Sequence, residues 1–422
     1  MQVIVRPERR LLAAGSEHDL WCMLELTAPP ALEPVARRPL RIALVLDRSG
    51  SMAGRKLEVT RASAAFLVRR MASGDQLALV TYDEEAEVRV PLVPVEERRD
   101  DLLEAIEAIR PGGSTNLSGG YLKGVEVLSG ADRSGVRRVL LLSDGLANVG
   151  ITAPSCLRGF AERALAREGV TTSTIGLGAD FDEELMTAMA DAGGGSAHFA
   201  ETPDDAPAIF GMEFSDLIGV VAQDVGVEIR PEEAAQVVRV LNDVPIVPVP
   251  GGIRVHLGDA FAEERRRVVF RLRVPGSVAL GARQVAEVMV RYAGVGSALT
   301  QREVRVPVVV DLVAADEAAA ATPDHGVTEE VALFSAAEAG ERARRLADAG
   351  DLEGARRALE AAARGLETVA PGSPRAQELL EEADFWSTRA ALLLRNPEDR
   401  AARKRMLYRA RSTRSGRRRA GR

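Results

Sequence analysis

At 422 residues and about 150 residues per domain, the length predicts roughly three domains. With 46% hydrophobic and 28% charged residues, wholesale disorder is excluded; two cysteines, Cys22 and Cys156, are too few for a disulfide framework or a cysteine-built zinc site. The net charge of −7 includes ten Lys or Arg and no acid within 403–422, so the remainder sums to −17.

The chain opens with two strand patterns, VIVRP and DLWCMLELTA. Their texture matches a β-rich stretch far along the chain rather than the α/β pattern directly after them, so residues 1–35 are expected to pair with that distant stretch. The opening MQVIVRPERR lacks the apolar core of a signal peptide, and no run approaches eighteen apolar residues. A cytoplasmic protein without a transmembrane segment is the expectation.

Residues 36–218 alternate strand and helix. RIALVLD (41–47) is a short apolar run ending in a polar loop, the pattern of a strand buried on both faces. Strands are expected next at 76–83, 87–92, 137–145, 170–178 and 196–201, separated by helical spacing at 56–71, 97–109, 117–128, 155–168, 182–192 and 204–217. This alternation predicts an α/β domain with a Rossmann-like, doubly wound and mainly parallel sheet. Residues 219–313 change to short alternating segments with turn residues every ten or so positions, which predicts an antiparallel β-sandwich.

Residues 314–396 turn to Ala, Leu, Glu and Arg at helical spacing, with helices expected at 328–348, 351–367 and 374–395. RARRLADAGDLEGARRALEAAARGLE has the layout of a tetratricopeptide-like hairpin, without that repeat's aromatic positions. The simpler expectation is a helical hairpin packed on its own protein. Residues 397–422 read as a mobile basic tail. Apart from Lys56, Lys123 and Lys404 every basic residue is arginine, a bias that points to a GC-rich genome rather than to phosphate recognition.

Five residues lie where strands of a parallel sheet open their binding crevice. The loop after the first strand, LVLDRSGSM, presents Asp47, Ser49 and Ser51; GGSTNLSGG carries Thr115; LLLSDGLAN places Asp144 beside the first loop. Three hydroxyls and two carboxylates are hard oxygen donors, suited to Mg²⁺, with Mn²⁺ or Ca²⁺ as alternatives, and not to zinc or copper. A site of mostly neutral direct ligands leaves the ion electron-poor, favouring a carboxylate from another molecule.

The D-x-S-x-S of Asp47, Ser49 and Ser51, together with Thr115 and Asp144 further on, resembles the metal-ion-dependent adhesion site of von Willebrand factor A domains. The surrounding segments GGSTNLSGGY, LLLSDGLANVG and TTSTIGLGADFDEELMTAMADAGGG are similar to bacterial intracellular and membrane-associated members rather than to integrins. The resemblance implies that Ser49, Ser51 and Thr115 coordinate an ion directly or through water, and that Asp47 and Asp144 act largely through water. It also implies a protein partner offering Asp or Glu. For bacterial members with a flanking sandwich and helices, it implies association with MoxR-type AAA+ ATPase systems.

An enzyme is not expected. Neither G-x-S-x-G nor G-x-x-x-x-G-K-[ST] occurs, and the four histidines, His18, His198, His256 and His325, form no H-E-x-x-H pair. A metal-dependent hydrolase is the weakest alternative, since no general base accompanies the motif. The stronger alternative is nucleic-acid or anionic-surface binding through the tail, although Tyr408 is its only aromatic and an acidic face of the same protein competes for the charge. Asp83, Glu84 and Glu85 read as a solvated turn, with added acidity near the crevice as the alternative, His198 as structural, and Phe385 and Trp386 as helical core.

Overall fold

Three strands open the chain: β1 (Gln2–Pro7), β2 (Leu11–Ala13) and β3 (His18–Thr27). They belong to one compact unit with residues 220–422, and residues 33–219 form the other. The computed structural model describes residues 1–30, 39–132, 135–178, 180–200, 202–232, 235–294, 300–396 and 399–418.

The inserted unit runs β4 (Leu40–Asp47), α1 (Arg55–Arg70), β5 (Gln76–Tyr82), β6 (Ala86–Pro94), α2 (Val95–Glu107), α3 (Leu117–Ser129) and β7 (Val136–Ser143). It continues α4 (Pro154–Arg163), β8 (Val170–Leu177), α5 (Glu183–Ala192), β9 (Gly194–Ala200) and α6 (Ala206–Ile218). The sheet order is β6-β5-β4-β7-β8-β9. Every pairing is parallel except that of β5 with β6.

All eight residues of β4 and of β7 are buried, as expected of central strands covered on both faces. On α1, Leu57, Ala64, Leu67 and Val68 form the stripe turned to the core, where they join Ile42, Leu44 and Leu140. After β4 the chain moves outward to β5 and β6, then returns to lay β7 on the opposite side of β4. That reversal makes the carboxyl ends of β4 and β7 a topological switch point, the place where open α/β sheets bind ligands.

β7 also buries Arg138, which donates to Glu213 of α6 at 2.8 Å. Ser173 donates to the same carboxylate at 2.6 Å, and the ring of His198 on β9 lies 2.8 Å from its other oxygen. Burial opposes ionisation of Glu213, but the hydrogen bond with His198 and the charge of Arg138 prevail, holding its carboxyl well below the usual range. His198 is structural, as its place in a strand suggested.

The other unit continues with β10 (Val220–Pro231), β11 (Gln236–Val240), β12 (Ile246–Val249), β13 (Gly252–Phe261), β14 (Arg265–Val274), β15 (Gly281–Gly294) and β16 (Thr300–Val313). One sheet is β1-β3-β14-β11 and the other β12-β13-β10-β15-β16-β2. β3 pairs antiparallel with all of β14, from His18 opposite Val274 to Thr27 opposite Arg265. Leu20, Leu24, Val227, Phe270 and Val288 meet in the core between the sheets. β12 escapes the sequence reading because Pro245, Pro248 and Pro250 punctuate it; its position at a sheet edge accommodates them.

Beyond the sandwich come helices α7 (Ala315–Ala320), α8 (His325–Asp348), α9 (Leu352–Val369) and α10 (Ala376–Arg395). Trp386 is fully buried, and Gly340 makes room for it: a Cβ there would fall 2.4 Å from the indole. Val327 and Phe334 of α8 join Met23, Leu241 and Val269 in a small core, so the hairpin packs on the sandwich of its own unit.

The expectation of a mobile tail over 397–422 is corrected for residues 399–418, while 397, 398 and 419–422 lie outside the described residues. Residues Arg400–Arg414 form a further helix, α11, and Arg417–Arg418 a short strand, β17, paired with Arg265 and Arg266 of β14. Met406, Leu407 and Ala410 are buried, a helical spacing obscured in the sequence by intervening arginines. Arg403 meets Asp348 at 2.8 Å, Arg409 donates to Glu382, and Arg414 pairs with Glu341 and donates to the Leu241 carbonyl at 2.9 Å. These cations answer acids of their own unit. Among the described residues, no helix is long and apolar enough to cross a membrane.

Candidate metal centre

Asp47 is the last residue of β4 and Asp144 comes directly after the last residue of β7, so strand pairing alone brings the two carboxylates to one end of the sheet. Beyond Asp47 the chain turns sharply, and the Ser49 amide donates to Asp47 Oδ1 at 2.8 Å. This closes a local ring that turns the Ser49 side chain back over the strand end. The hydroxyls of Ser49 and Ser51 lie 3.1 Å apart, and Ser51 Oγ donates to Asp144 Oδ1 at 2.7 Å. Ser143 Oγ donates to Asp47 Oδ2 at 2.9 Å.

Thr115 comes from the loop before α3. Its amide donates to Asn148 Oδ1 at 2.8 Å, and its carbonyl accepts from the Asn148 and Val149 amides. A Cβ built on Gly145 would lie 3.6 Å from Thr115 Oγ1 and 3.7 Å from Ser51 Oγ. Gly145 therefore lies beside both hydroxyls. All five residues named from the sequence are brought to this end of the sheet, with Asp47 and Asp144 fully buried and Ser51 at the surface.

Burial pushes the Asp47 carboxyl up to about 6; hydrogen bonds from Ser49 and Ser143 oppose that rise and the charge of Asp144 adds to it. Two carboxylates and three hydroxyls suit a hard divalent cation. Among the described residues, no three His, Cys, Asp or Glu side chains gather as a metal cluster.

The contact of Lys56 escaped the sequence reading, and the direction of Arg48 could not be read from it. Lys56, on the first turn of α1, donates to Asp144 Oδ2 at 2.5 Å. As one of three lysines in an arginine-rich chain, so near the motif, it carried a signal in its rarity. Arg48, inside D-x-S-x-S, forms a 2.8 Å salt bridge with Asp83. The solvated-turn reading therefore holds for the exposed Glu84 and Glu85 but not for the buried Asp83. Around that bridge the backbone is stitched together: Gly112 N donates to Arg48 O at 2.6 Å, Gly50 N to Gly113 O at 2.8 Å, and Asn116 N to Asp83 O at 2.7 Å.

A doubly wound domain with this switch point defines a class, and the comparisons agree with it. Residues 42–211 match the family model of the von Willebrand factor type A domain. It is 29% identical over 192 residues to the Escherichia coli (strain K12) protein YfbK, covering 45% of this chain and 33% of that one. To protein sll0103 of Synechocystis sp. it is 26% identical over 265 residues, covering 61% and 62%. The chain thus spans less than two thirds of either relative. Among solved structures, the von Willebrand factor type A protein from Catenulispora acidiphila matches with a TM-score of 0.68 and 20% identity, over 89% of this chain and 88% of that one. At that identity the likeness concerns the fold, and it extends through the sandwich and helices.

Proposed function

We propose that this chain is a divalent-metal-dependent protein-binding scaffold, with Ser49, Ser51 and Thr115 as ligands of a Mg²⁺ ion and Asp47 and Asp144 acting largely through water. When bound, the cation supplies an electron-poor coordination position for an incoming Asp or Glu carboxylate of a partner protein. The observation that carries this reading is the state of the two aspartates. Each of their four oxygens already accepts a hydrogen bond from the chain, from Ser49 N, Ser143, Ser51 and Lys56. Held in this way, they leave the hydroxyls as the direct donors and so leave positive charge on the ion.

The loops around the crevice select the partner. Leu146 and Ile151 stand exposed on the segment after Asp144, and large exposed apolar side chains beside a polar anchor favour an acid flanked by apolar residues. The reading is one of binding rather than catalysis, because the two carboxylates, the groups that could act as a base, already accept hydrogen bonds from the chain. A cytoplasmic address, expected from the sequence, and a MoxR-type AAA+ ATPase system as the source of the partner, implied by the family resemblance, are part of the proposal.

The test compares the wild-type chain with the double variant Ser49→Ala, Ser51→Ala by calorimetric titration with Mg²⁺ and Mn²⁺, and by capture of partners with Mg²⁺ or chelator. The expected result is loss of metal binding and of Mg²⁺-dependent capture with the melting temperature kept. An unfolded double variant means the loop is structural. A folded variant that captures the same proteins removes the metal from recognition.

A further inference from the structure

The lysine beside the centre has a consequence for how tightly ion and ligand are held. Lys56 is the residue whose ammonium touches the buried Asp144, and its own side chain is one-quarter exposed. Its outer end lies along the backbone at the end of β8: a Cβ on Gly178 would stand 3.7 Å from Lys56 Cε and 3.9 Å from Nζ. The lysine is therefore seated between α1, the end of β7 and the end of β8. Asp144 Oδ1 accepts from Ser51 and Oδ2 from Lys56, so the same carboxylate joins the hydroxyl donors to a fixed positive charge.

Charge arithmetic then distinguishes two kinds of centre. Arg48 and Asp83 are paired with each other and cancel. Asp47 and Asp144 carry two negative charges against the one positive charge of Lys56. A divalent ion brings the group to a net charge of one positive, which one incoming carboxylate neutralises. Without Lys56 the two aspartates alone cancel the ion, and an incoming carboxylate would leave an excess negative charge in a partly desolvated crevice.

We propose that Lys56 trades metal affinity for ligand affinity: its ammonium beside Asp144 weakens the hold on the cation and strengthens the hold on the partner's carboxylate. This rests on the metal-centre reading above. A unit charge within a few ångströms of the ion, at the effective dielectric of a partly buried site, shifts either equilibrium by roughly tenfold or more. The two shifts have opposite signs, and no merely structural role for the lysine predicts that.

The experiment titrates the full chain, and the variants Lys56→Met and Lys56→Arg, with Mn²⁺, using electron paramagnetic resonance to measure the free ion. Acetate is then titrated into each Mn²⁺-loaded protein, with water-proton relaxation reporting its entry. The expected result is Mn²⁺ affinity about tenfold higher in Lys56→Met, acetate affinity about tenfold lower, and Lys56→Arg close to wild type. Lys56→Gln provides a second neutral variant for the same comparison should Lys56→Met not fold. Wild type that binds Mn²⁺ with neutral variants of equal or lower Mn²⁺ affinity overturns the trade. If Mn²⁺ binds neither wild type nor a folded neutral variant, the metal-centre reading itself falls and takes this inference with it.

Discussion

Arg48 reaches from the middle of the Asp47–Ser51 loop to Asp83, 2.8 Å away, and so ties the turn after β4 to the turn after β5. The Gly113 amide points to the same carboxylate at 3.4 Å, and the Asp83 carbonyl holds Asn116 N. Gly112 allows this close approach: a Cβ there would lie 1.9 Å from Asp83 Oδ2. The ion pair thus joins these backbone hydrogen bonds in holding the Thr115 loop beside Ser49 and Ser51. Asp83→Ala leaves Arg48 without its partner, at a cost of about 1–3 kcal/mol. The expected outcome is Mn²⁺ affinity reduced roughly tenfold, measured by calorimetry, with most of the loss absent when Arg48→Met is already in place.

Gly145 offers a sharper probe of the two hydroxyls beside it. A methyl group there meets Thr115 Oγ1 and Ser51 Oγ at ordinary contact distances, so Gly145→Ala should fold. It would nevertheless place an apolar group against the hydroxyls proposed as metal ligands. Metal binding should fall at least about tenfold with little change in melting temperature. Gly120→Ala makes the contrast, because its Cβ would fall 2.4 Å from the buried Tyr82 ring; that variant should lose stability first.

The buried Glu213 links α6 to β7, β8 and β9 through Arg138, Ser173 and His198. Glu213→Gln leaves the guanidinium of Arg138 buried without its counter-charge, a loss of about 3–5 kcal/mol at neutral pH. The lowered carboxyl dictates the pH dependence. The unfolded chain takes up the proton near the ordinary value of 4.5, whereas the folded chain resists it. The wild-type advantage is therefore complete above that value and declines as the pH falls below it. Denaturant melts should show a gap between wild type and variant at neutral pH that narrows at about pH 3.

α11 and β17 give the basic C-terminal segment a structural task. Arg414 and Glu341 are both largely buried, and Arg414→Met removes the charge partner of an acid whose carboxyl burial already raises. We expect a stability loss of about 3 kcal/mol. Truncation after Asn396 should lower the melting temperature further, since it also exposes the surface covered by Met406, Leu407 and Ala410. Steep salt-dependent nucleic-acid binding by the intact chain, lost on that truncation, would count against this account.

Periodicity and loop chemistry were legible without coordinates. The apolar cores of the RIALVLD and VLLLS runs mark strands buried on both faces, the pattern of central parallel strands. A D-x-S-x-S after one such strand and an Asp after another are local signals, and parallel pairing of β4 with β7 is enough to bring them to the same end of the sheet. Other features belong to the tertiary structure alone. Long charged side chains reach whatever the fold sets within their range, so neither Lys56 to Asp144, 88 residues apart, nor Arg48 to Asp83 had a periodic trace. β12 lies hidden among prolines that only an edge tolerates, and β17 is a strand because β14 offers it unpaired backbone. The arginines of α11 looked like a solvated run because net charge is additive along a sequence, while their partners Glu341, Glu382 and Asp348 are supplied by folding.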